Sequence, residues 1–122
     1  MTMKWLPLLI IAAVVLVVFV LKKRGQISPG DTLSYLKDGA LVIDVRSPGE
    51  FNSGHLSAAI NIPLDELDTA IAERVKDKNQ VLLLHCQSGI RSAMARRKLL
   101  GMGYARVFNL GSLARARELV GE

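Results

Sequence analysis

Residues 6–21 contain no polar side chain, and that run decides how the rest of the chain can be used. A segment apolar on every helical face has no side to offer water, so it cannot serve as a surface helix of a small soluble domain. Lys4 and Trp5 precede it, and Lys22, Lys23 and Arg24 follow. As a helix, Trp5 to Leu21 rises about 25 Å, slightly less than a ~30 Å hydrocarbon core but within the lower range of spanning lengths. Pro7 falls in the first turn, where its missing N–H does little harm. Trp5 suits the interfacial belt, and Lys4 can snorkel. A cleaved leader would carry small residues at a cleavage site soon after the run. Three cations and then Gly25-Gln26 stand there instead. The expectation is a retained anchor over residues 1–24, forming one transmembrane helix. Its basic C-terminal flank then places the domain that follows on the cytoplasmic side of a single-pass cell-membrane protein.

The formal net charge of +5 looks like a nucleic-acid signal until it is divided. Setting aside Lys4, Lys22, Lys23 and Arg24 leaves 12 basic and 11 acidic residues, a balance of +1. No nucleic-acid partner is expected. The distribution still matters, because no acidic residue lies between Asp77 and Glu118, while Lys78, Arg91, Arg96, Arg97, Lys98, Arg106, Arg115 and Arg117 do. That half of the chain favours a small anionic substrate or anionic headgroups.

Residues 25–30 read as a short linker, which leaves 31–122 for one compact domain. Ser28 and Pro29 form a helix start, with Leu33 and Leu36 as its apolar side and Gly39 as its end. Ala40 to Val45 fits a buried strand. After a polar loop, Ala58 to Ile62 reads as a short strand closed by Pro63. Leu64, Leu67, Ile71 and Val75 recur at helical intervals. Val81 to His85 is the next strand, Ile90 to Met102 a helix, Arg106 to Leu110 a strand and Leu113 to Val120 a last helix. Strands alternating with helices imply parallel pairing through crossovers, hence a small three-layer α/β domain with a parallel sheet flanked by helices. Sites in such sheets form beyond the carboxyl ends of the strands. Cys86 stands at one such end, and Asp44 to Arg46 at another.

Cys86 is the only cysteine, so an internal disulfide and a four-cysteine metal site are both excluded. An apolar strand delivers it to a short loop, Gln87-Ser88-Gly89-Ile90-Arg91, that opens a helix. A helix N-terminus and nearby cations favour the thiolate, the nucleophilic form. Gly89 permits the tight turn, and the backbone N–H groups of the loop can form a nest facing the sulfur. Gln87 and Ser88 can add donors. Arg91 either meets the oxyanion of an anionic donor, the reading favoured here, or braces the loop from behind. Arg46 and Glu50, four residues apart, can pair beside the pocket. Asp44 can accept backbone hydrogen bonds near the loop. His55 is read as a ring tying down its own loop. His85 points to the opposite face from Cys86 and is read as packing.

Two motifs carry a family resemblance. Asp44-Val45-Arg46, Glu50-Phe51, Gly54-His55-Leu56 and Ala59-Ile60-Asn61-Ile62-Pro63 follow the order D-V-R, E-F, G-H-[IL], A-x-N-[IL]-P. Cys86 to Arg91 matches C-x-x-G-x-R. Together they resemble the rhodanese-like sulfurtransferases, across about Ser28 to Leu119. The resemblance implies transfer of a sulfane sulfur from a small anionic, thiosulfate-like donor to a Cys86 persulfide, and from there to cyanide, a thiol or a protein acceptor. It implies no metal and no organic cofactor. Related cysteine phosphatases and arsenate reductases hold five residues between cysteine and arginine, where this loop holds four, a ring too tight for a tetrahedral oxyanion. A non-catalytic rhodanese-like module that tethers a partner to the membrane is the other alternative.

Overall fold

The computed structural model describes residues 3–23 and 26–122. Met1, Thr2, Arg24 and Gly25, part of the expected anchor and linker, lie outside them. Helix α1 spans Leu6–Lys23, α2 Pro29–Lys37, α3 Pro48–Asn52, α4 Leu67–Arg74, α5 Ile90–Gly101 and α6 Leu113–Val120. Strands β1 (Leu41–Asp44), β2 (Ala59–Asn61), β3 (Leu82–His85) and β4 (Val107–Gly111) form one parallel sheet in the order β2-β1-β3-β4. A short 3-10 turn, Leu64–Glu66, leads into α4.

Because side chains alternate along a strand, each central strand supplies two cores. Ile43, Leu82, Leu84 and Cys86 join Leu67, Ile71, Ala95 and Leu99 of α4 and α5 on one face. Val42 and Leu83 join Ile27, Leu56, Leu110, Ala116 and Leu119 on the other, where α2 and α6 lie. The three expected layers are therefore present, and Asp44 and His85, opposite each other in register, fall on the face away from Cys86.

Three expectations need correction. In α2, Leu33 is 52% exposed and Thr32 is buried, because the helix turns Thr32, Tyr35 and Leu36 inward. The loop after β1 contains α3, whose Ser47 accepts from the Glu50 N–H while Glu50 accepts from the Ser47 N–H. That capping box was legible as Ser-x-x-Glu. The third concerns the N-terminal helix. α1 forms with its large apolar side chains exposed, but among the described residues no helix is long and apolar enough to cross a membrane. Its uninterrupted apolar part, residues 6–21, rises about 24 Å against the ~30 Å of hydrocarbon. The expected transmembrane helix becomes an exposed apolar helix that meets the domain at α5 and β4.

The stretch read as a linker belongs partly to the domain. Ile27 is buried and donates its N–H to the Asn109 carbonyl, and Pro29 and Gly30 open α2 under the Ser28 cap.

Candidate active site

β3 ends at His85, and the chain leaves the sheet at Cys86, whose N–H bonds the Gly111 carbonyl at 3.1 Å. The turn back into α5 passes through Gly89 at φ +100°, where a Cβ would lie 3.4 Å from the Gly111 backbone. The left-handed conformation favours glycine, while the space would admit a Cβ in ordinary contact with the Gly111 backbone. The result aims the Gly89 N–H at Cys86 Sγ, 2.9 Å away, from the amino end of α5. The Ser92 hydroxyl, one turn into α5, lies 3.5 Å from the same sulfur. Among the hydrogen bonds of the described residues, Gly89 supplies the amide that reaches Sγ; the expected nest is a single amide plus a hydroxyl.

Cys86 is completely buried, while Gln87 and Ser88 beside it are exposed and Ile90 is half-buried. The sulfur sits in the apolar cluster with Ile43, Val45, Leu84 and Ala95, and the exposed Gln87 and Ser88 follow it in the chain.

The polar supports differ from the expected pairing. Glu50 does not meet Arg46. Its carboxylate takes both Arg91 Nη1 and Nη2, at 2.7 and 2.9 Å. This bidentate bond to Arg91 holds the Glu50 carboxyl down at about 2. The same bond raises the Arg91 guanidinium above its ordinary value. Arg91 thus braces α3 against α5 and also lines the cleft beside them. Arg46 instead forks onto Asp44, with Nη2 at 2.7 Å from Oδ2, and both side chains are buried. The register explains it: two residues beyond β1, Arg46 folds straight back onto the strand's last side chain. Asp44 also accepts the Arg46 N–H, so its bonds secure its own turn rather than the loop. The link to the loop comes from Arg46 Nη1, which donates to Gln87 Oε1 at 3.1 Å, while Nη2 donates to the Gly54 carbonyl.

His55 stacks on Phe51 with its Nδ1 2.9 Å from the Phe51 carbonyl, a ring fastening its own loop. His85 is buried on the far face. Its Nδ1 lies 3.2 Å from the Cys86 carbonyl, and Nε2 has no hydrogen-bond partner, although Asp44 Oδ2 lies 3.6 Å off. Burial pushes the His85 imidazole below its ordinary value despite the Asp44 carboxylate, so the ring is neutral at physiological pH.

Ser92 and Asn109 were missed by sequence reasoning. Asn109 Oδ1 accepts the Ser92 hydroxyl at 2.7 Å and the Gly111 N–H at 2.8 Å, and its Nδ2 donates to the Gly89 carbonyl at 3.3 Å. The available signal was a lone amide inside the otherwise apolar strand Val107-Phe108-Asn109-Leu110, where an unpartnered polar group would be costly. Beside Arg91 opens a cleft of about 540 Å³, walled by Val45, Pro63, Leu64 and Met94 with Asp65 and Lys98 at its polar edge.

A parallel sheet delivers one cysteine to a six-residue loop, with an amide at its sulfur and an arginine braced from the first motif. The family model for the rhodanese-like domain matches residues 28–114, and the chain belongs to that family. It is similar to the thiosulfate sulfurtransferase PspE of Escherichia coli strain K12, at 44% identity over 71 residues, covering 58% of this chain and 68% of that protein. A solved rhodanese with anions from E. coli superposes with a TM-score of 0.61 at 40% identity, over 63% of this chain and 91% of that one. The human single-domain sulfurtransferase TSTD1 gives 0.67 at 28% identity, over 77% and 96%. This chain is a rhodanese-type sulfurtransferase.

Proposed function

We propose that this protein moves a sulfane sulfur from a thiosulfate-like donor to a thiophilic acceptor through a persulfide on Cys86, and that α1 holds it at a membrane. The observation carrying the first part is the Gly89 N–H at 2.9 Å from Cys86 Sγ, at the amino end of α5. An amide and a helix N-terminus directed at one sulfur stabilise negative charge there. The thiolate attacks the outer sulfur of thiosulfate, forming the Cys86 S–S bond. The donor's own S–S bond breaks, and sulfite leaves with the electron pair. Cyanide or a thiolate then attacks the outer persulfide sulfur and releases the Cys86 thiolate. Intact-mass measurement after thiosulfate treatment tests this step. A gain of one sulfur atom that disappears in Cys86→Ser is expected; folded wild-type protein unchanged in mass would overturn it.

The second part rests on the exposed apolar surface of α1 from Leu6 to Leu21, larger than a soluble monomer leaves open to water, and on the flanking cations that suit a headgroup region. The domain then lies on the cytoplasmic side. Retention in the membrane pellet after an alkaline carbonate wash is expected, with protease reaching the domain only in inside-out vesicles. Recovery in the wash supernatant would remove the membrane from the account.

A further inference from the structure

We infer that the Ser92 hydroxyl is a catalytic group of the same site, a rotor that accepts from the Cys86 thiol and turns to donate to the thiolate, with Asn109 as its positioning residue. The inference rests on the reading of Cys86 as nucleophile. A serine hydroxyl has one proton and two lone pairs. Three groups surround the Ser92 hydroxyl, which is fully buried: Asn109 Oδ1 at 2.7 Å, the Gly89 carbonyl at 3.1 Å and Cys86 Sγ at 3.5 Å.

Two of these three do not depend on that proton. Asn109 Oδ1 also accepts the Gly111 N–H at 2.8 Å, a donor that fixes the orientation of the amide. The Gly89 carbonyl also accepts from Asn109 Nδ2 at 3.3 Å and from the Ala93 N–H at 3.2 Å. Turning the hydroxyl away therefore leaves neither oxygen unsatisfied, so the usual penalty for orphaning a buried acceptor is not incurred. With a protonated sulfur, the hydroxyl donates to Asn109 and its lone pairs receive the S–H. When that proton leaves to solvent, the hydroxyl swings to the sulfur and joins the Gly89 N–H as a second donor to the anion.

The test follows the pH dependence of sulfur loading from thiosulfate in full-length wild type and Ser92→Ala, read by intact mass at short times. The variant should load about tenfold more slowly near neutral pH, with the gap to wild type narrowing as pH rises. Identical profiles overturn the rotor while leaving the persulfide reading intact, and no loading in wild type overturns both. If Ser92→Ala fails to fold, infrared spectroscopy of wild type decides: an S–H stretch shifted to lower frequency supports donation to Ser92, and an unshifted band refutes it.

Discussion

Glu50 and Arg91 illustrate how a single side chain changes partner between a linear motif and a folded site. Spacing suggests Glu50 with Arg46; the fold gives Glu50 to Arg91, 41 positions away, and leaves Arg46 to Asp44. The Glu50–Arg91 pair is about one-third exposed on each side, so solvent limits its contribution to under about 1 kcal/mol. Its pH dependence has a definite sign. The Glu50 carboxyl is lowered from 4.5 to about 2 in the folded state, so the stabilisation is complete above the unfolded value and is lost as pH falls through that window. Glu50→Gln should therefore lower the unfolding free energy at pH 7 by roughly 0.5–1 kcal/mol. Urea titrations at stepped pH should show the gap to wild type closing as pH drops toward about 2. A gap that persists or widens in acid would mean that the bidentate bond contributes nothing. Cys86→Ser, by contrast, should abolish sulfur transfer without altering the urea midpoint by more than about 1 kcal/mol equivalent, since the replacement is close in shape.

The element that most depends on one backbone geometry is the turn between β3 and α5. Gly89 is held at φ +100° against the Gly111 backbone. Gly89→Ala should destabilise the fold by about 1–3 kcal/mol and slow sulfur loading, because relieving the strained left-handed φ turns the Gly89 N–H away from Cys86 Sγ. A variant with unchanged urea midpoint and unchanged loading would show that the turn tolerates a side chain. α3 makes a second case. With five residues it cannot nucleate alone, and its capping box is the local reason it forms beside the site. Ser47→Ala removes the acceptor for the Glu50 N–H and should cost about 1 kcal/mol. Because Glu50 also holds Arg91, loading should slow as well; an effect on stability without one on loading would separate the cap from the site.

At the scale of the whole molecule, an apolar helix and an α/β domain share one chain, and α1 meets the domain at α5 and β4. Truncation that removes residues 1–25 should give a protein that no longer sediments with membranes while still acquiring one sulfur from thiosulfate. Loss of sulfur loading in a folded truncation would mean that the helix supports the site itself.

Much of this architecture was legible because it is local. Apolar runs such as Leu82-Leu83-Leu84 mark strands buried on both faces, and Leu113 to Val120 marks a helix that forms over that same range. The place of Cys86 just after a strand, the loop that follows it and the layer count followed from the same short-range patterns, since hydrophobic periodicity and turn chemistry act over a few residues. Partners were not legible. Arg46 reaching Gln87, Glu50 taking Arg91, Asn109 meeting Ser92 and the burial of Cys86 all join residues that lie far apart along the chain or depend on how layers close over one another. A side chain's hydrogen bonds are settled by which groups the packed sheet and helices bring within about 3 Å, and only the tertiary structure sets those distances.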